Sequence, residues 1–166
     1  MATVGHLNGR AIIAPDSPSY GRILEDLIKN SQALTALLIT KQGTVLAKAG
    51  ETDYLNATAV AALVAGMFTA TREVARLVGE NQFSILLQQG ELRHIHISLV
   101  AGDAMMVVIF EDNNRIGLIR HCAKKAAERL GEVALPAAPE FDTISLPKFK
   151  EYALNLIDRL FEPQPE

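Results

Sequence analysis

The 166-residue sequence has a single cysteine, Cys122, so no disulfide can form within the chain, which suits a reducing cytosol. It also lacks a basic excess. Lys and Arg number 16 against 19 Asp and Glu, a net charge of −3, which argues against a general nucleic-acid binder. The opening stretch MATVGHLNGR has no apolar core behind a basic start, so no signal peptide is expected. The only long uncharged run, Tyr54 to Thr71, is diluted by Asn56, Thr58, Gly66, Thr69 and Thr71. A membrane span needs about 20 predominantly apolar residues, so none is expected.

Catalytic signatures are missing too. There is no glycine-rich phosphate loop ending in Lys-Ser/Thr, no dinucleotide-binding glycine triplet and no Gly-x-Ser-x-Gly elbow. His121 and Cys122 are neighbours in a helical pattern and point about 100° apart, which rules against a Cys–His nucleophile pair. Cys122 reads as a small, partly buried hydrophobe. Glu111 and Asp112 read as turn and cap residues.

What is present is an alternation of helical and strand patterns. In PDSPSYGRILEDLIKN, Ser17 suits an N-cap and Pro18 the first helical position, and Tyr20, Ile23, Leu24, Leu27 and Ile28 share one face. Leu34 to Thr40 reads as a buried strand, followed by a turn at Gly43 and a second strand, TVLAKAG. A long helix follows, with Thr52 or Asp53 as its cap and Gly79 as its stop. FSILLQQ, RHIHISLV and AMMVVIFE read as a three-strand meander, the last apolar enough to be central. Asn113 or Asn114 is expected to cap the next helix, whose core side carries Ile116, Ile119, Ala123, Ala126 and Leu130. Its opposite side carries Arg120, His121, Lys124, Lys125 and Glu128; its basic character could meet an acidic partner or a phosphate, and a solvated face is the default reading.

The expected organisation is an N-terminal extension over 1–16, a domain over 17–133, a proline-rich linker over 134–145 and an amphipathic helix over 146–162. The order α-β-β-α-β-β-β-α predicts an α+β domain, an antiparallel sheet with helices on its faces. The tail helix, with Phe149, Tyr152, Leu156 and Leu160 in its apolar stripe, must dock on its own domain or on a partner.

His94 and His96 lie two apart on a strand and share a face, so both could meet one ion. Zinc needs three or four ligands, and no cluster completes the set. Two histidines on the solvent face are the expectation, with no metal and no cofactor.

The long helix is unusual. Val60, Leu63, Val64, Met67, Phe68, Thr71, Val74 and Val78 are assigned to a core side. Thr58, Ala61, Ala62, Ala65, Gly66 and Thr69 form an outer side almost without bulk, ending in Arg72, Glu73 and Arg76. Gly66 costs about 1 kcal/mol against alanine in mid-helix. Such a face reads as a shelf for another surface, intermolecular rather than intramolecular.

ALLITKQGTVLAKAG, AVAALVAGMFTATREVARLVGENQF and NNRIGLIRHCAKKAAERLGEV resemble the Roadblock/LC7 superfamily, and more narrowly its bacterial MglB-type members, which regulate a small Ras-like GTPase of the MglA type. The resemblance runs from about Tyr20 to Val133. It implies a five-stranded antiparallel sheet between helices, and a cytoplasmic homodimer formed by edge strand Phe83 to Gln89 and the long helix. It implies no active site of its own, but stimulation of the partner's GTP hydrolysis by repositioning the partner's catalytic groups, without an inserted arginine. Matched onto this chain, the GTPase surface is Ala62, Ala65, Gly66, Thr69, Arg72, Glu73 and Arg76. The dimer interface takes Phe83, Ile85, Leu87, Thr58 and Ala61, and the tail residues Phe149, Tyr152, Leu156 and Leu160 add a second partner contact. Two alternatives stay open: a dimeric scaffold that binds a GTPase or another signalling protein without activating it, and a ligand-sensing or catalytic α+β domain using His94 and His96.

Overall fold

The computed structural model describes residues 5–7, 10–12, 18–101 and 103–133. The tail helix and its linker therefore lie outside the described residues, as does Ser17. Two short strands, β1 (Gly5–Leu7) and β2 (Arg10–Ile12), pair antiparallel within the stretch read as an extension. The domain proper then runs α1 (Pro18–Ser31), β3 (Thr35–Thr40), β4 (Val45–Gly50), α2 (Ala57–Leu77), β5 (Ile85–Gln89), β6 (His94–Val100), β7 (Ala104–Phe110) and α3 (Ile116–Glu132). This is the expected α-β-β-α-β-β-β-α order.

The five strands form one antiparallel sheet in the order β4-β3-β7-β6-β5. β7 sits in the middle and is buried along its whole length, as its unbroken apolar run AMMVVIF requires. Strand alternation sends side chains to two cores. On one face, Leu38, Met106, Val108 and Phe110 meet Tyr20, Leu24 and Leu27 of α1 and Ile119, Ala123, Ala126 and Leu130 of α3. On the other, Leu37, Ile39, Ile97, Met105 and Val107 meet Ala61, Val64, Ala65 and Phe68 of α2.

The caps differ from the expected ones. Asn56, rather than Thr52 or Asp53, starts α2: its Oδ1 accepts the Ala59 N–H at 3.1 Å. Asp112, rather than Asn113 or Asn114, caps the 3-10 turn Asn113–Arg115 that leads into α3, accepting the Asn114 N–H at 2.9 Å. That N–H, followed by the Arg115 side chain, holds the Asp112 carboxyl below its ordinary pKa. The stop at Gly79 is as expected. Its φ of +87° lets Glu80 N–H reach Ala75 O (2.9 Å) and Gly79 N–H reach Arg76 O (3.1 Å), the crossed pair of a Schellman ending.

Candidate functional site

Among the described residues α2 is the one helix on its side of the sheet, and its burial does not follow the division read from sequence. Ala61 and Ala65, assigned to the outer shelf and to partner contact, are 0% and 4% exposed and belong to the core. Leu63, Val74 and Val78, assigned to the core, are exposed, Leu63 at 75%. Close approach explains the rotation. The β3–β4 hairpin runs directly under the helix, and a Cβ on Gly43 would lie 2.8 Å from the Ala62 Cα. Where the hairpin comes this close, at Ala61 and Ala62, only a small side chain fits between, while Val64 and Phe68 fill the wider space further along.

At about 100° per residue the exposed part of α2 splits into two flanks. Leu63, Val74 and Val78, with half-buried Met67, make an apolar one. Ala62, Gly66, Thr69, Glu73 and Arg76 make the other, small at its start and charged at its end, with exposed Leu77 between the two flanks. A Cβ added at Gly66 would meet nothing within 4 Å. Thr69 folds its hydroxyl back onto Ala65 O (2.8 Å), which keeps this flank low. Arg76 pairs with Glu73 at 3.2 Å in the open, a contact worth about 0–1 kcal/mol. Arg72 is half-buried. Thr58 is exposed near the start of the helix.

The free edge of the sheet lies at β5, the more exposed of the two edge strands. Ile85 is exposed there, opposite Ser98, and Leu87 is half-buried opposite His96. Phe83, expected at the dimer interface, turns inward: its ring lies 4.9 Å from that of Phe68. It fastens the lead into β5 onto the α2 core.

His94 and His96 do share a face, but not the solvent face expected of them. Both are buried beneath α3, and His94 packs its ring 5.1 Å from Phe110. The sequence pattern missed this because α3 crosses β6, which period-two alternation cannot foresee. Among the described residues no group of three or more His, Cys, Asp or Glu could hold a metal ion. Cys122 is buried and unpaired.

Burial first, then the Arg120 charge, pushes the His96 pKa below its ordinary 6.5. Unfolded His96 therefore binds a proton more readily than folded His96, so stability rises with pH through this window. The contribution is complete above 6.5 and is lost as pH falls through the lowered folded value. Urea melts across this range should show an acid limb that His96→Leu flattens, and an unchanged limb in that variant would assign it to other groups.

The fold and its exposed features define a three-layer domain, a sheet between one long helix and a helix pair, that presents an apolar helix flank and a free strand edge. Residues 20–110, more than half of the chain, match the Roadblock/LC7 domain, and the chain belongs to that family. Among solved structures it is similar to Myxococcus xanthus MglB, at 28% identity and a TM-score of 0.68 over 73% of this chain and 91% of that one. It is also similar to the gliding protein MglB from Thermus thermophilus, at 27% identity and 0.65 over 73% and 93%. A third similar structure, described as MglB with tetrameric arrangement, gives 30% identity and 0.63 over 73% and 93%. No curated protein matches the sequence. Among the described residues no helix is long and apolar enough to cross a membrane.

Proposed function

We propose that this protein is a homodimeric, non-enzymatic regulator of a small Ras-like GTPase of the MglA type, and that it stimulates GTP hydrolysis by ordering the partner's own catalytic groups. The exposed two-flanked face of α2 carries this reading, in a chain of the Roadblock/LC7 family that is similar to MglB. Isolated apolar side chains on a surface need no explanation, but Leu63, Val74, Leu77 and Val78 along one helix form a surface suited to a partner. We assign the apolar flank and the β5 edge at Ile85 and Leu87 to a second copy of the chain, together with Thr58, which lies one turn before Ala62 on the other flank. Pairing β5 with its copy would satisfy an otherwise open row of backbone groups. The flank of Ala62, Gly66, Thr69, Glu73 and Arg76, with Arg72 beside it, is assigned to the GTPase. Phe149, Tyr152, Leu156 and Leu160 of the tail would add a second contact. The protein would act in the cytoplasm.

Phosphoryl transfer depends mainly on positioning and electrostatic stabilisation. A protein without catalytic groups can therefore accelerate it by favouring the reactive arrangement of the partner's switch segments. The test is capture of candidate Ras-like GTPases loaded with GTP or GDP, followed by turnover of the one captured. Hydrolysis should rise when the purified chain is added. Binding with unchanged turnover would leave the scaffold role instead.

A further inference from the structure

On the opposite face of the sheet from α2, a recess of about 450 Å³ opens between α3 and the β5–β6 edge. Arg120, His121 and Lys124 of α3 form one wall, and His96 and Ser98 of β6 lie at its base. Arg120 and Lys124 are a turn apart on the helix and so reach the same space. Among the described residues neither forms an ion pair or a hydrogen bond, and no carboxylate of a described residue lines the recess.

The base is the more telling part. His96 is 1% exposed and Ser98 8%, yet His96 Nδ1 and Ser98 Oγ have no hydrogen-bond partner among the described residues. A buried polar group left unpaired costs about 1–3 kcal/mol, and native proteins pair nearly all of them. Here two such groups sit under two cations that no described residue neutralises. The charge of Arg120 also bears on His96 and disfavours a proton on it. A bound anion would offset that repulsion and accept from every group present: the guanidinium, the ammonium, the serine hydroxyl and an imidazole N–H. Arginine's planar fork suits two phosphate oxygens at once, and lysine adds a point charge.

We propose that this recess binds the phosphate group of a small molecule, with Arg120 and Lys124 holding its charge and Ser98 and His96 completing its hydrogen bonds. A carboxylate offers only two oxygens, whereas the tetrahedral phosphate has enough to reach both the wall and the base. The recess and the exposed α2 flanks lie on opposite faces of the sheet, so ligand binding and GTPase binding can be separated by experiment.

The full-length protein is titrated at constant ionic strength with inorganic phosphate and, separately, with pyrophosphate. The readouts are the His96 ring and Arg120 side-chain NMR signals, together with calorimetry. Both signals should shift saturably, and a preference for pyrophosphate would identify a diphosphate-bearing ligand. Arg120→Gln combined with Lys124→Gln should weaken binding about tenfold or more while leaving the melting temperature unchanged, since both side chains are exposed. Ser98→Ala should weaken it less. The absence of saturable shifts at millimolar ligand, or equal affinity in the double variant, would overturn the proposal.

Discussion

Gly66→Arg is expected to give a folded, dimeric protein that no longer binds its GTPase. A Cβ added at Gly66 meets no neighbour within 4 Å, and mid-helix glycine is about 1 kcal/mol worse than alanine, so stability should hold or rise. The consequence falls on the assigned GTPase flank. Gly66 lies between Ala62 and Thr69 there, and a long cation would stand in the path of a closely approaching surface or have to be buried against it. Burying an unpaired charge costs several kcal/mol, so affinity should fall on the order of a hundredfold or more. Gly66→Ala is the control, adding a methyl into open space while leaving the flank low and uncharged. Calorimetry with the captured GTPase reads the affinity, and sedimentation reads the dimer. Unchanged affinity in the arginine variant would remove this flank from the GTPase interface. Loss of the dimer would instead assign it to self-association.

Two positions along the same helix, Phe68→Ala should have the opposite profile. Phe68 is among the largest fully enclosed side chains, set among Leu37, Ile39, Ile97, Met105 and Val107. Removing its ring leaves a cavity, and such truncations cost about 3–5 kcal/mol. That is a large part of the roughly 5–15 kcal/mol by which a domain is stable. The ring contact with Phe83 is lost too, which frees the segment leading into β5. Urea denaturation should show the midpoint falling steeply, and dimerisation should weaken with it if β5 is a contact between copies. A cost below about 1 kcal/mol would show that the layer between α2 and the sheet can collapse around the gap. The pair of variants separates the two sides of α2: one change alters binding without stability, and the other alters stability first.

The same helix shows how far local pattern reaches. Pro18, the turn at Gly43, the stop at Gly79 and the apolar runs of the sheet strands are legible residue by residue, because each rests on an interaction spanning a few positions. The uncharged stretch before Arg72 is ambiguous in that respect. Apolar and small residues occur all round it, so periodicity marks no single stripe. The alanines read as an outward shelf turned out to be the inward face at Ala61 and Ala65, because the Gly43 hairpin brings the sheet within a methyl group of the helix backbone.

The histidines of β6 make the same point from the other side of the sheet. Their alternation placed them together, and nothing local could say that α3 would cover them, since that depends on a helix more than twenty positions further along the chain. The sequence by itself determined the helices and strands of the domain, their order and an antiparallel sheet, through spacing and turns. Only the tertiary structure decided which face of α2 is buried and that His96 and Ser98 lie beneath a cationic wall, because each follows from distances between segments remote in the chain.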